Sequence, residues 1–235
     1  MKPESNQNPK QDPKQDEVFR SGEGDAWFRR NAASMDAHAG HDWILDTLSH
    51  LHGREQLLSV CEVGCASAWR LARLPEALPA AIRRAGFDLS EDAIAHGRAR
   101  DAALDLRVGS ASEPPFDEQF DVVIVSFVLH WIDRSLLTRS LAAIDSLVAP
   151  GGYLVVSDFL PDSPCRRRYH HRNDVSLYTY KQDYAASFTA TNLYREVSRS
   201  VFHHSATQGV LEPAEEGDRA ACVLLHKPVV AYPER

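Results

Sequence analysis

The stretch "SVCEVGCASAWRLARL", residues 59–74, decides the fold of this 235-residue chain. It begins like a buried strand and ends with the apolar spacing of a helix. Between them lies a turn with one glycine, Gly64, whose backbone can take positive φ and approach a ligand closely. Ala66 and Ala68 follow where ligand loops often carry further glycines, and we expect both to keep ordinary negative φ. The stretch predicts a strand, a ligand-binding turn and a helix.

The alternation of strand and helix continues along the chain. Further strand-like runs are "AIRRAGFDLS", "LDLRVGSA", "FDVVIVSFVLHWI" and "YLVVSDFL", and helix-like runs separate them. This pattern predicts an α/β protein with a parallel sheet and helices on both of its faces. Two more strand-like runs, residues 200–207 and 219–228, close the chain.

The segments outside this pattern differ in composition. Residues 1–16 are rich in Pro, Gln, Asn, Lys and Asp, which predicts a disordered tail before a single domain over residues 17–235. Amphipathic helices are expected over residues 20–52 as a cap that precedes the first strand. Residues 161–200 are polar and aromatic, and they predict an insertion of loop and short helix over one edge of the sheet.

Charge and composition exclude several classes of function. The net charge of −7 argues against broad binding to nucleic acid or to an anionic membrane. No apolar run approaches the roughly 20 residues of a membrane helix, and no signal peptide is evident. Four cysteines without a CxxC pair fit the cytoplasm. The histidine pairs His203–His204 and His38 with His41 lack a clear third ligand, so no metal site is expected.

Two ligand classes compete for the turn after the first strand. A dinucleotide fingerprint would put Trp69 at its third glycine position, where a small residue is needed, and Glu62 would repel a pyrophosphate. A carboxylate suits a cationic ligand such as S-adenosylmethionine, which carries a sulfonium and an α-amino group. Asp88 closes the second strand and can hold ribose hydroxyls, but it does not separate NAD from S-adenosylmethionine.

Five motifs carry a family resemblance. In this order, "EVGCASA", "GFDLS", "VGSASEPPF", "FDVVIVSFVLHWI" and "APGGYLVVSDF" resemble class I S-adenosylmethionine-dependent methyltransferases of the small-molecule type, over roughly residues 55–160. The resemblance implies a Rossmann-like, mostly parallel seven-stranded sheet with its last strand antiparallel, and S-adenosylmethionine as cofactor. It implies methyl transfer to an oxygen or nitrogen of a small molecule, such as a sugar, nucleoside or other natural-product intermediate. The alternative is a catalytically silent binding or regulatory module with the same fold.

The resemblance also implies roles for individual residues. The expected cofactor contacts are Trp27, Arg30, Glu62, Gly64, Ala66, Asp88, Leu89, Ser110, Ala111 and Ser126. His130, just beyond the fourth strand, is the best-placed candidate base, although a histidine there can equally be a pocket wall. His170 and His171 are further candidate bases.

The insertion is expected to build the acceptor pocket, because this is where the family places it. Aromatic and basic side chains would supply its shape and its polar anchors. The expected contacts are Trp131, Tyr169, Tyr178, Tyr180 and Lys181. Arg166, Arg167, Arg168 and Arg172 either attract an anionic acceptor or form a solvated charge run.

Overall fold

The computed structural model describes residues 15–36, 40–51, 57–79, 83–172, 174–205 and 217–233. The predicted tail lies outside the described residues except for Gln15 and Asp16. Both belong to helix α1 (Gln15–Val18), and Gln15 is buried. The ordered chain therefore begins before residue 17, because the Gln15 side chain has partners in the fold that composition does not reveal.

The cap before the first strand is helical. After α1, a wide turn over Phe19–Glu23 leads into α2 (Gly24–Asp36), and Gly22 in this turn takes a φ of 130°. Helix α3 (Trp43–Ser49) begins at Asp42, whose Oδ1 accepts hydrogen bonds from the amides of Ile44 (2.8 Å) and Leu45 (3.2 Å). The apolar face of α3 is buried in the main core. None of the helices in the described ranges is long and apolar enough to cross a membrane.

A seven-stranded sheet forms the centre of the fold. Its elements from the first strand onward are β1 (Ser59–Val63), α4 (Trp69–Arg73), β2 (Arg83–Asp88), α5 (Glu91–Arg100), β3 (Asp105–Val108), β4 (Phe120–Ser126), α6 (Leu137–Leu147), β5 (Val148–Phe159), β6 (Cys165–Arg168), β7 (Tyr178–Lys181), α7 (Tyr184–Thr189), β8 (Arg195–His203) and β9 (Arg219–His226). The order across the sheet is β3-β2-β1-β4-β5-β9-β8. Strands β1 to β5 pair in parallel, and β9 is antiparallel to both of its neighbours. The predicted α/β sheet with an antiparallel last strand is thus confirmed.

Burial explains why the central strands could be predicted from the sequence. Both faces of the sheet are covered, and a hydrophobic cluster lies on each. A strand that is buried on both faces requires a continuous apolar run, as "VVIV" of β4 provides.

The insertion differs in detail from the expected loop and short helix. It contains a two-stranded antiparallel hairpin, β6–β7, followed by α7. Strand β8 begins at Arg195, so the sheet includes part of the predicted insertion. Every residue of β6 is exposed, as are the first four of β8. The alternation of apolar and polar residues that signals a strand is therefore absent from both.

The cap is fixed to the sheet domain by polar contacts on two sides. Oδ1 of Asp25 accepts hydrogen bonds from Ser90 Oγ (2.6 Å) and from the Asp92 amide (3.2 Å) at the start of α5. On the other side, the Gln15 amide donates to the Trp131 carbonyl (2.5 Å) and accepts from the Tyr178 amide (2.8 Å). The cap therefore joins α5 to the hairpin across the carboxyl edge of the sheet.

We expect Asp25→Ala to lower the free energy of unfolding by about 1–2 kcal/mol, because it removes a carboxylate that accepts two hydrogen bonds at a helix start. Urea unfolding followed by circular dichroism measures this loss. Arg29→Met is the matched control, since the Arg29–Asp92 ion pair is exposed and should contribute less than about 0.5 kcal/mol. Equal effects of the two substitutions would contradict this account of how the cap docks.

Candidate functional site

A cavity of about 650 Å³ lies at the carboxyl ends of β1, β2, β4 and β5. This is where open α/β sheets bind ligands, because the strand order reverses there between β1 and β4. Helices α1 and α2 and the β6–β7 hairpin contribute the outer wall. The cavity therefore unites the first strand–turn–helix unit with the cap and the insertion.

The loop after β1 contains three residues with the positive φ that glycine adopts most easily. Gly64, Ala66 and Ala68 have φ values of 67°, 47° and 57°. The expectation of ordinary negative φ at the two alanines was wrong, although the left-handed region costs an L-residue roughly 1–2 kcal/mol. The Ala66 amide donates to Asp88 Oδ2 (2.9 Å), and this bond helps to hold the strained conformation. A side chain at Gly64 would collide with Cγ2 of Val128.

Asp88 closes β2 at the rim of the cavity. Besides the bond from Ala66, its Oδ1 accepts a hydrogen bond from the Ser90 amide (2.9 Å). Burial raises the pKa of this carboxyl above its usual range. Leu89, Ser110 and Ala111 line the adjacent wall, and the Ser110 hydroxyl accepts from the Glu113 amide (3.2 Å). All four residues predicted for this wall are thus brought together.

Glu62 is part of a buried charge network that the sequence analysis did not identify. Oε1 of Glu62 pairs with Arg70 Nη1, and Arg70 Nε donates to Asp42 Oδ2 (2.9 Å). Oε2 of Glu62 is buried without a hydrogen-bond partner among the described residues. Burial raises the Glu62 pKa to about 7, although the Arg70 charge acts in the opposite direction. An arginine at the start of the helix, eight residues after an acid in an apolar strand, was the signal that could have identified the pair.

The other half of the cavity begins after β4. Phe127 takes a φ of 52°, and the chain then makes a short 3₁₀ turn that carries His130 and Trp131 into the lining. The buried His130 amide donates to Asp158 Oδ2 (3.2 Å). Its ring Nδ1 lies 2.9 Å from Asp158 Oδ1, yet the approach falls outside hydrogen-bond geometry, so a buried carboxylate lies beside the imidazole without a formed bond.

The hairpin brings only some of the predicted acceptor contacts to the cavity. Thr179 and Lys181 of β7 line it, whereas Tyr178 and Tyr180 do not. Side chains alternate along a strand, so the two tyrosines face the other side of the hairpin. There they lie against the guanidinium groups of Arg166 (4.5 Å to the ring centre) and Arg134 (4.4 Å). The expectation that these tyrosines contact the acceptor is corrected.

Six more predicted site residues separate into those that line the cavity and those that do not. Trp27, Tyr169 and His170 line the cavity, together with Ser126 at the end of β4. Arg30 does not; its guanidinium donates to Glu23 Oε1 (2.5 Å) and to the Tyr169 hydroxyl (2.6 Å), so it joins the cap to the insertion instead of lining the cofactor half. His171 is exposed and packs on His170, with ring centres 3.9 Å apart.

His204 is a further lining residue that the sequence analysis considered only as a metal ligand. It follows β8, and its ring lies 4.6 Å from that of Phe127 and 4.8 Å from that of Phe159. Burial lowers its pKa, which favours a neutral imidazole. Within the described ranges, no cluster of three or more His, Cys, Asp or Glu side chains is arranged to hold a metal ion. His38 lies outside those ranges.

Comparisons with known proteins agree with this geometry. Residues 60–152 match the family described as "methyltransferase domain". No curated protein sequence matches the chain significantly. Among solved structures, the Burkholderia thailandensis 1,6-didemethyltoxoflavin-N1-methyltransferase, bound to its substrate and S-adenosylhomocysteine, superposes with a TM-score of 0.64 at 17% identity, covering 90% of this chain and 88% of that one.

Two further structures are similar at the level of the fold. A chain in the complex of the Haloferax volcanii methyltransferase activator Trm112 with a protein assigned as a methyltransferase gives a TM-score of 0.61 at 18% identity, covering 87% of this chain and 95% of that one. The glycopeptide N-methyltransferase MtfA in complex with S-adenosylmethionine gives a TM-score of 0.57 at 15% identity, covering 82% of this chain and 98% of that one.

The strained loop yields a prediction about stability. We expect Ala68→Gly to leave the free energy of unfolding unchanged or to raise it by up to about 1 kcal/mol, because relief of the left-handed strain offsets the entropy of glycine. The control Ala95→Gly, in the exposed middle of α5, should lower it by about 1 kcal/mol. Chemical unfolding of both variants measures the difference, and an equal loss in both would contradict the strain at Ala68.

Proposed function

We propose that the chain is an active class I S-adenosylmethionine-dependent methyltransferase that methylates an oxygen or nitrogen of a small molecule. The observation that carries this proposal is a single cavity whose lining runs from Glu62, Gly64 and Asp88 to His130 and Lys181. A cofactor at one end and an acceptor at the other would meet within it. A sugar, a nucleoside or another natural-product intermediate is the expected class of acceptor.

The described residues fit the cofactor. Asp88 keeps lone pairs free for ribose hydroxyls beyond the two amide bonds that it accepts. Oε2 of Glu62, a buried acceptor without a partner among the described residues, suits the α-amino group of the methionine part. Leu89 and Ala111 offer apolar contact to the adenine beside Ser110, and the loop at Gly64 and Ser126 offers backbone atoms.

For methyl transfer, the main tasks of the protein are to position the cofactor and the acceptor and to exclude water. When bound, the cofactor supplies a methyl group already activated by its sulfonium. Trp27 from the cap and Trp131 and Tyr169 would shield the reaction from solvent. This role of the cap is supported by the bond from the Tyr169 hydroxyl to the buried carboxylate of Glu23 (2.9 Å).

Proton removal would fall to a histidine if the acceptor is a hydroxyl or a protonated amine. His130 is the first candidate because it lines the cavity and its Nδ1 lies 2.9 Å from Asp158 Oδ1. His204 is the second, since its ring lines the cavity and partial desolvation lowers its pKa. His170 and His171 are both exposed, but only His170 lines the cavity, and His171 packs against it. Two of the compared structures are named as N-methyltransferases, which supports a nitrogen acceptor.

A silent binding module is less well supported. Such a module would be favoured by side chains that fill the passage between the two halves. The open volume of about 650 Å³ supports an enzyme instead.

Calorimetry with S-adenosylhomocysteine tests the cofactor assignment. We expect binding to the wild-type protein and a loss of about 1–3 kcal/mol in Asp88→Asn, because a charged acceptor becomes neutral. Asp105→Asn is the control, since this carboxylate lies outside the cavity beside Arg83 and Arg107. Binding of NADH without S-adenosylhomocysteine would contradict the assignment. Transfer of a radiolabelled methyl group in an acceptor screen then separates an enzyme from a silent module.

The raised pKa of Glu62 gives a pH dependence with a defined sign. Below about pH 7 the carboxyl is protonated and cannot pair with the ligand's ammonium group. Affinity for S-adenosylhomocysteine should therefore rise roughly fivefold or more between about pH 6 and pH 7.5. Glu62→Gln should bind more weakly and with a flatter profile, whereas Glu118→Gln, at an exposed carboxylate, should follow the wild type. A wild-type profile that is flat, or that falls with pH, would contradict this role of Glu62.

A further inference from the structure

Lys181 is an amine enclosed in the acceptor half of the cavity. Its side chain lines the cavity and the residue is only 8% exposed. Nζ lies 3.4 Å from the ring centre of Phe159, and its hydrogen bond to the Gly217 carbonyl is long, at 3.4 Å. No carboxylate within the described ranges lies at ion-pair distance from it. Burial lowers the pKa of Lys181, as expected of a cation that has lost water without gaining a counter-charge.

A second cation converges on the same point. Arg167 lies in β6, opposite Thr179 of β7, and it lines the cavity as well. A Cβ placed on Gly217 would be 2.7 Å from Arg167 Nη2, so the guanidinium lies against the residue whose carbonyl accepts from Lys181. Repulsion by Arg167 adds to the effect of burial on the Lys181 pKa. Two like charges, the buried Lys181 and the exposed Arg167, thus both lie against Gly217 at this end of the cavity.

Among the described residues, the acidic groups around this chamber already have neighbours. Asp158 lies behind His130, and Asp218 accepts from Ser205 Oγ (2.6 Å). The lining carboxylates Glu62 and Asp88 belong to the half built by β1 and β2. Asp16 of α1 also lines the cavity, whereas Lys181 and Arg167 line the part that the hairpin builds.

We propose that the methyl acceptor is an anion, with a carboxylate or phosphate group held between Lys181 and Arg167 and its apolar part against Phe159. This inference rests on the proposed methyl transfer and names the class of its substrate. An oxyanion at this point would supply a counter-charge that none of the described carboxylates provides at ion-pair distance, and charge-assisted hydrogen bonds to both cations would fix its orientation. The rest of the acceptor would then lie beside Phe127, His130 and His204, the side chains that share this chamber.

Fragment binding to protein saturated with S-adenosylhomocysteine tests the proposal. The probes are benzoate, phenyl phosphate and the neutral isostere benzamide, measured by calorimetry. We expect at least one anion to bind about tenfold or more tightly than benzamide. The anion with the higher affinity shows whether the site prefers a carboxylate or a phosphate group. Lys181→Met should abolish this preference and Lys181→Arg should retain it.

The controls separate this proposal from the cofactor assignment. Arg166→Met removes a charge from the same hairpin on the side that faces Tyr178, and it should leave fragment binding unchanged. S-adenosylhomocysteine affinity should be the same in all of these variants, which also shows that they fold. Equal binding of benzamide and both anions, no anion binding at all, or displacement of the anions by S-adenosylhomocysteine would overturn the proposal. Failure to bind S-adenosylhomocysteine would instead count against the proposed function.

Discussion

The hydrogen bond from the Ala66 amide to the Asp88 carboxylate is the contact on which the cofactor half of the site depends. It links the loop after β1 to the end of β2. In this loop Ala66 and Ala68 have positive φ, which is unfavourable for residues other than glycine. The same carboxylate also accepts from the first residues that lead into α5. One buried acid therefore determines the loop conformation, the start of a helix and the rim of the cavity.

The strained residues of this loop lie at the rim of the cavity. Strain of a few kcal/mol persists only where surrounding contacts over-determine the conformation, and such residues concentrate at functional sites. Phe127 repeats the pattern at the end of β4, where it turns the chain toward His130. Left-handed residues thus follow β1 and β4, the two adjacent strands where the sheet order reverses.

The sequence predicted what depends on burial and local pattern. The apolar runs of β1 and β4 and the capping residue Ser90 follow from periodicity and side-chain chemistry, and so does the placement of Gly64 and Asp88. Contacts between distant segments could not be predicted in this way. Arg70 meets Glu62 and Asp42 only because three separate elements converge, and His204 reaches the cavity only because β8 ends beside Phe127 and Phe159. The orientation of Tyr178 and Tyr180 could be known only from the register of the β6–β7 hairpin, and the polar sequence of its strands does not indicate that register.

The cap and the hairpin share a small apolar cluster of their own, formed by Val18, Tyr169 and Leu177 with Trp131 and Val175 against them. It is separate from the two clusters that cover the faces of the sheet. Substitutions in the hairpin therefore act mainly on this third cluster and leave the packing behind the cofactor loop intact. A fold divided in this way allows the hairpin side of the cavity to vary in sequence without repacking of the sheet, because the two regions pack in separate clusters.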